Sequence, residues 1–181
     1  SNRHVHLSQA DLEKLFGKGY QLHPWKELSE KGFYAAEETV VLAGPKGALN
    51  KVRVLGPVRR ETQIELLLSD SHVLGIVPQI RDSGTVTPSQ ELTIVGPKGT
   101  VTNNTGIMAA WRHIHIDTQK ARDLGLNDGD EVQVKTSGDR ALILSRVRIR
   151  CGNIANTMLH IDVDEANAAC LKTGDKVQLL S

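Results

Sequence analysis

The chain has 181 residues, with 22 Lys and Arg against 21 Asp and Glu and a formal net charge of +1. That length suits one domain or two small ones with buried cores, and the balanced charge excludes a generic electrostatic binder of nucleic acid or membranes. Aromatic residues are only 3%, which argues against base-stacking platforms; no apolar run is long enough to span a bilayer, and no charged-then-apolar signal stretch opens the sequence.

In chain order, Arg3-His4-Val5-His6-Leu7 alternates like a strand. Ser8, with Asp11 three residues later, starts a helix through Leu12, Leu15 and Phe16, and Gly17 follows it. Residues 39–43 form a strand that stops at Gly44-Pro45-Lys46-Gly47, a turn signal. Residues 78–88 read as a loop. Residues 92–95 are a strand ended by the same tetrapeptide, Gly96-Pro97-Lys98-Gly99. Asp117 starts a second helix that ends at Gly125. Residues 131–134 and 146–150 alternate as strands. Asp162 with Glu165 starts a third helix, running to about Lys172, and residues 175–179 form a last strand. Short strands at regular spacing with Gly/Pro turns predict a mainly β fold of barrels or sandwiches, capped by a few short helices.

The chain also repeats itself. Arg3-His4-Val5-His6-Leu7-Ser8 resembles Arg112-His113-Ile114-His115-Ile116-Asp117, and Thr62-Gln63-Ile64-Glu65 pairs with Thr157-Met158-Leu159-His160. This predicts two related β-barrel units from an internal duplication, roughly residues 1–100 and 101–181, which could exchange segments.

The duplicated His-x-His is where chemistry concentrates. On a strand the two imidazoles share one face, about 7 Å apart along the chain, and can converge on one metal ion. Val5 and Leu7, or Ile114 and Ile116, then turn into a core. Each pair needs a further ligand, and Glu65 and His160 occupy matching places. The candidate sets are His4, His6 and Glu65, and His113, His115 and His160. Three protein ligands leave an open position, as a catalytic zinc requires. The bland alternative is a core Glu65 paired with Arg59 or Arg60. Gly56-Pro57 reads as a turn that holds Arg59 and Arg60 near the first set, where a guanidinium fork fits a phosphate or carboxylate. On a regular strand Arg59 shares the face of Glu65 and Arg60 does not. Arg81 and Ser83, before Gly84, could help hold an anion. Two cysteines make neither a disulfide framework nor a four-thiolate zinc site, so Cys151 and Cys170 are read as small core residues. His23 and His72 stand alone.

Residues 1–8, Gly56-Pro57-Val58-Arg59 with Thr62-Gln63-Ile64-Glu65, Arg81-Asp82-Ser83-Gly84 with Thr87-Pro88, and Arg112-His113-Ile114-His115 resemble the signature blocks of the PduL-type phosphotransacylases, the phosphate propanoyltransferases. The likeness spans essentially the whole chain in family order. It implies a duplicated β-barrel with a dinuclear centre holding two zinc ions or another divalent metal. The implied reaction is acyl-CoA plus phosphate to acyl phosphate plus CoA, with short acyl groups such as propanoyl. The metal ligands carried over are the same six residues, with Arg59 as the phosphate-contacting and catalytic residue and Ser83 beside the phosphate. Family members often act in bacterial microcompartments, in pathways such as propanediol degradation, and carry an N-terminal targeting segment. This sequence opens on its first motif: either that segment is absent from this sequence or this member is a free cytoplasmic form, and the expected location is the bacterial cytoplasm, with or without an enclosing microcompartment. Microcompartment enzymes or shell, and a homo-oligomer, are the protein partners left open.

Direct attack of phosphate on the thioester fits the absence of an obvious activated Ser or Cys. Two alternatives share the ligands: a dinuclear zinc hydrolase using metal-bound hydroxide, and a non-catalytic β-barrel binding module stapled by metal.

Overall fold

A computed structural model describes residues 1–28 and 32–180. The fold is mainly β, 46% strand and 15% helix, in two curled half-barrel sheets. The chain divides into two compact units, Asn2–Ala110 and the segment from Trp111 onward with Ser1. No helix among the described residues is long and apolar enough to cross a membrane.

The first unit runs β1 (His4–Ser8), α1 (Gln9–Phe16), β2 (Pro24–Glu27), β3 (Tyr34–Ala43), β4 (Ala48–Arg59), β5 (Gln63–Glu65), α2 (Asp70–Leu74), β6 (Gln79–Arg81), β7 (Pro88–Val95), β8 (Thr100–Thr105) and β9 (Ile107–Ala110). Its sheet order is β6-β9-β5-β1-β4-β3-β7-β8, with β2 added on β3. Central β1 lies parallel to β4 and antiparallel to β5. Val5 and Leu7 are fully buried in a core with Leu12, Leu15, Val54 and Ile64. Such burial contributes roughly 1.5–3 kcal/mol per side chain and fixes which way the alternate histidines face.

Ser8 is the hinge between β1 and α1. Its hydroxyl accepts the Asp11 amide (3.1 Å), the capping bond that the sequence spacing predicts. Both Gly-Pro-Lys-Gly segments are hairpin turns, closed by Gly44 N to Gly47 O and Gly96 N to Gly99 O (each 2.9 Å). Each turn also seats on a helix end, because the Lys46 amide donates to Leu74 O (3.1 Å) and the Lys98 amide to Leu15 O (2.9 Å). These bonds satisfy carbonyls that a helix C-terminus leaves open.

The second unit runs β10 (His113–Asp117), α3 (Thr118–Asp123), β11 (Glu131–Lys135), β12 (Ile143–Gly152), β13 (Met158–His160), α4 (Val163–Ala169) and β14 (Gln178–Leu180), with sheet order β13-β10-β12-β11-β14. Here β10 lies parallel to β12 and antiparallel to β13. The central trio of the first unit is therefore repeated, strand for strand. Asp117 caps α3 as Ser8 caps α1, accepting the Gln119 and Lys120 amides. Ile114, Ile116, Val134, Val147 and Ile149 form this unit's core.

Several local expectations are corrected. Residues 78–88 are not all loop, since Gln79–Arg81 pairs with β9 as β6. Gly56-Pro57 is not a turn but lies inside β4, with Gly56 opposite Tyr34. A Cβ on Gly56 would run into the Tyr34 ring. The third helix stops at Ala169 rather than Lys172, because Cys170 adopts a left-handed cap (φ 54°). Cys170 is exposed, not a core residue, and Cys151 is half-buried. The last strand begins at Gln178 rather than 175.

Candidate functional site

In the first unit the strand register sets His4 opposite Glu65 and His6 opposite Gln63. All four side chains are buried. The ligating atoms of His4, His6 and Glu65 lie within 4.8 Å of one another. His4 Nδ1 donates to the Asn2 carbonyl (2.8 Å), and His4 Nε2 faces Glu65 Oε2 at 3.4 Å. The His4 and His6 rings stand edge to face, 5.0 Å between centroids.

The second unit repeats this layout. His113 is opposite His160 and His115 opposite Met158. His113 Nδ1 donates to the Trp111 carbonyl (2.7 Å), again two residues back. That bond turns His113 Nε2 to His115 Nε2, 3.1 Å away. The ring centroids of His160 lie 5.1 Å from His113 and 4.8 Å from His115, and the three ligating atoms lie within 4.8 Å of one another.

Both sets fit a divalent cation. Two nitrogens and a carboxylate oxygen, or three nitrogens, are ordinary zinc donor sets with room for a further ligand. The buried Nδ1 of His6 has no hydrogen-bond partner among the described residues, an arrangement that ligation would satisfy. The protonation states also suit ligation. Burial, then the neighbouring His4 and Arg59, lower His6 to about 3. Burial, then His113 and His115, lower His160 to about 4. Burial would raise Glu65, but the hydrogen bond and charge of His4, with the Ser83 bond, outweigh it and hold the carboxyl at about 2. At neutral pH these two imidazoles are neutral and the carboxylate is charged, as ligands must be.

Around Glu65 the structure adds a polar cluster. Oε1 of Glu65 accepts from Gln63 Nε2 (2.7 Å) and from the Ser83 hydroxyl (2.5 Å). One carboxylate oxygen is thus locked and the other is presented to His4. Gln63 Oε1 in turn accepts from Arg59 Nη1 (2.9 Å) and the Gly84 amide (3.0 Å). Arg59 therefore joins the first ligand set, but not by the regular-strand spacing expected. β4 ends at Arg59, the chain bends at Arg60–Glu61, and β5 starts at Gln63 on the other side of β1. At the bend, Thr62 Oγ1 accepts the Ser8 amide (2.9 Å) and donates to Asp11 (2.6 Å). Arg60 is exposed.

The residue that sequence reasoning missed is Gln63. It is 1% exposed and binds four site residues with both ends of its amide. Its signal was its place two residues before Glu65, on the same strand face. Arg81 stays on the surface, donating to Gln79 Oε1 (2.6 Å) and the Ile80 carbonyl. His23 is tied to buried Glu38 (2.7 Å), which also accepts from the Tyr20 hydroxyl (3.0 Å).

Comparison with known proteins gives the chain's family. A family model described as phosphate propanoyltransferase matches residues 1–172. Curated relatives of that name include one from Rhodopseudomonas palustris, 50% identical over 99% of this chain and 79% of its own length. Another, from Thermotoga maritima, is 50% identical over 99% of this chain and 86% of its own length. A third, from Rhodobacter capsulatus, is 48% identical over 99% and 83%.

Proposed function

Because the chain belongs to the phosphate propanoyltransferase family, and so is a phosphate acyltransferase acting on acyl-CoA and phosphate, we propose that it works with one divalent metal ion in each unit and attacks the thioester directly with phosphate. A phosphate oxygen forms a bond to the carbonyl carbon, the C–S bond breaks, and its electron pair leaves on the CoA sulfur as thiolate. Propanoyl and similar short acyl groups are the proposed substrates, and zinc the proposed metal. Ions held by the two ligand sets would supply Lewis acidity and neutralise the charge of two anionic reactants.

The single observation that carries this reading is the chain of contacts from Arg59 through Gln63 to Glu65. It joins a phosphate-type guanidinium to a ligating carboxylate through one buried amide. In the proposal Arg59 binds phosphate, its fork matching two oxygens and orienting the third for attack. Gln63 holds Arg59 at that station. Ser83 stands at the edge of the phosphate site and fixes Glu65. The proposed place of action is the bacterial cytoplasm or a microcompartment within it.

The test is acyl phosphate formation from propanoyl-CoA and phosphate, trapped as the hydroxamate. Arg59→Ala should lose about 2–4 kcal/mol of transition-state stabilisation, as removal of one electrostatic stabiliser does. Arg59→Lys should raise the phosphate KM with metal content unchanged, since an ammonium lacks the fork. Arg60→Ala is the control. Equal, mild effects of all three would place the phosphate site elsewhere.

A further inference from the structure

The duplication extends past the ligands to a pair of ion pairs that the proposed chemistry does not use. In each copy the residue just before the first histidine is an arginine, Arg3 or Arg112. Arg3 grips Asp70, with Nε 2.8 and 2.9 Å from the two carboxylate oxygens and Nη2 2.7 Å from Oδ1. Arg112 donates from Nη1 to Glu165 Oε1 at 2.8 Å. Asp70 lies five residues after Glu65, and Glu165 five residues after His160. Both carboxylates stand in the first turn of the helix that follows the third ligand's strand.

We infer that Arg3–Asp70 and Arg112–Glu165 are duplicated straps that set the third metal ligand of each unit against its His-x-His pair. The physical need is plain. β5 and β13 have three residues each, and each is held to its histidine strand by only three register pairs. A strand that short slides or twists easily, β13 most of all because it is the edge of its sheet while β5 has only two further register pairs with β9, and the third ligand moves with it. The strap closes a ring from the first histidine through arginine, carboxylate and helix start back to the third ligand. Each carboxylate is also tied to its own backbone. Asp70 Oδ2 accepts the Leu67 amide (2.9 Å), and Glu165 completes the capping box of α4 with Asp162. These four side chains are positioning residues: they act through the ligands.

The two straps differ in a way that can be tested. Asp70 is 2% exposed and held by a fork, whereas Arg112 and Glu165 meet through one contact at a partly open site. Lysine can replace Arg112 but not Arg3.

The inference rests on the two-metal reading, so the experiment separates them. Zn(II) affinity is measured by competition with a chromophoric chelator, in the His113→Ala background for the first set and the His4→Ala background for the second. If neither background loses a zinc equivalent relative to the parent protein, the metal reading itself fails. If each loses one, Arg3→Ala should weaken the first set and Arg112→Ala the second, each about tenfold, the low end of what outer-shell partners cost. Arg112→Lys should restore most of that affinity and Arg3→Lys little. The fold is followed by circular dichroism. Should Arg3→Ala unfold by stranding buried Asp70, the double variant Arg3→Met/Asp70→Leu removes both charges and should still bind zinc more weakly. Folded variants with unchanged zinc affinity, or a loss no larger than that of exposed Arg140→Ala, would overturn the straps.

Discussion

The two candidate ligand sets share a backbone and differ in charge. In both units a His-x-His strand lies between a long parallel strand and a three-residue antiparallel one, and the first histidine donates to a carbonyl two residues back. Yet one set contains Glu65 and the other is three imidazoles. The first is buried throughout, while His115 and His160 are half-buried. The reason lies in what each unit adds to the common trio. The first unit extends past β5 into α2, β6 and the loop that carries Ser83 and Gly84. Ser83 and Gln63 supply the donors that a buried carboxylate needs, with the Gly84 amide holding Gln63 in turn, since an unsupported charge there would be costly. Opposite His115 the second unit has Met158, which cannot play the part of Gln63. The strand ladder places the ligands; the inserted segment decides which charge the place can carry.

Removing that support should break the asymmetry. Gln63→Leu keeps the shape but removes the Gln63 acceptor from Arg59 and leaves Glu65 with one donor fewer. It should lower kcat/KM by about 10–100-fold and weaken the first metal set, with the second unchanged. Kinetics and metal titration check this together. If kcat/KM held, Gln63 would be mere filling.

A smaller effect sharpens the same contrast. In the metal-free protein His6 and His160 are lowered from 6.5 to about 3 and about 4, and Glu65 from 4.5 to about 2. As pH falls below 6.5, the unfolded chain takes up protons at these histidines that the folded chain refuses. Stability therefore falls with acidification, down to about pH 4 for His160 and further for His6. Glu65 adds a loss in the same direction, from about 4.5 down to about 2. Denaturant titration of metal-free protein at several pH values should show this decline, and His6→Gln should flatten it more than His160→Gln. A pH-independent midpoint would contradict it.

Much of this was legible in the sequence, for local reasons. Ser8 with Asp11 marks α1 because capping needs that spacing, and both Gly-Pro-Lys-Gly segments mark hairpins because few other residues fit such turns. The six candidate ligands were found from period two and repetition alone. What escaped was short or long-range. α2 has five residues and Ser69 makes no side-chain capping bond to it, so no pattern announces it. β6 sits in a stretch bounded by prolines. Arg59 meets Gln63 only because the chain crosses from one side of β1 to the other, which alternation cannot foresee. Arg3 and Asp70 are 67 residues apart, and nothing local in the sequence links them.

The central claim is that each unit holds its own metal ion. Elemental analysis of protein purified without chelators tests it most directly. The account predicts two divalent ions per chain, falling to one in His4→Ala and to one in His113→Ala, with both variants folded. One ion or none in the parent protein, or either variant keeping two, would contradict it.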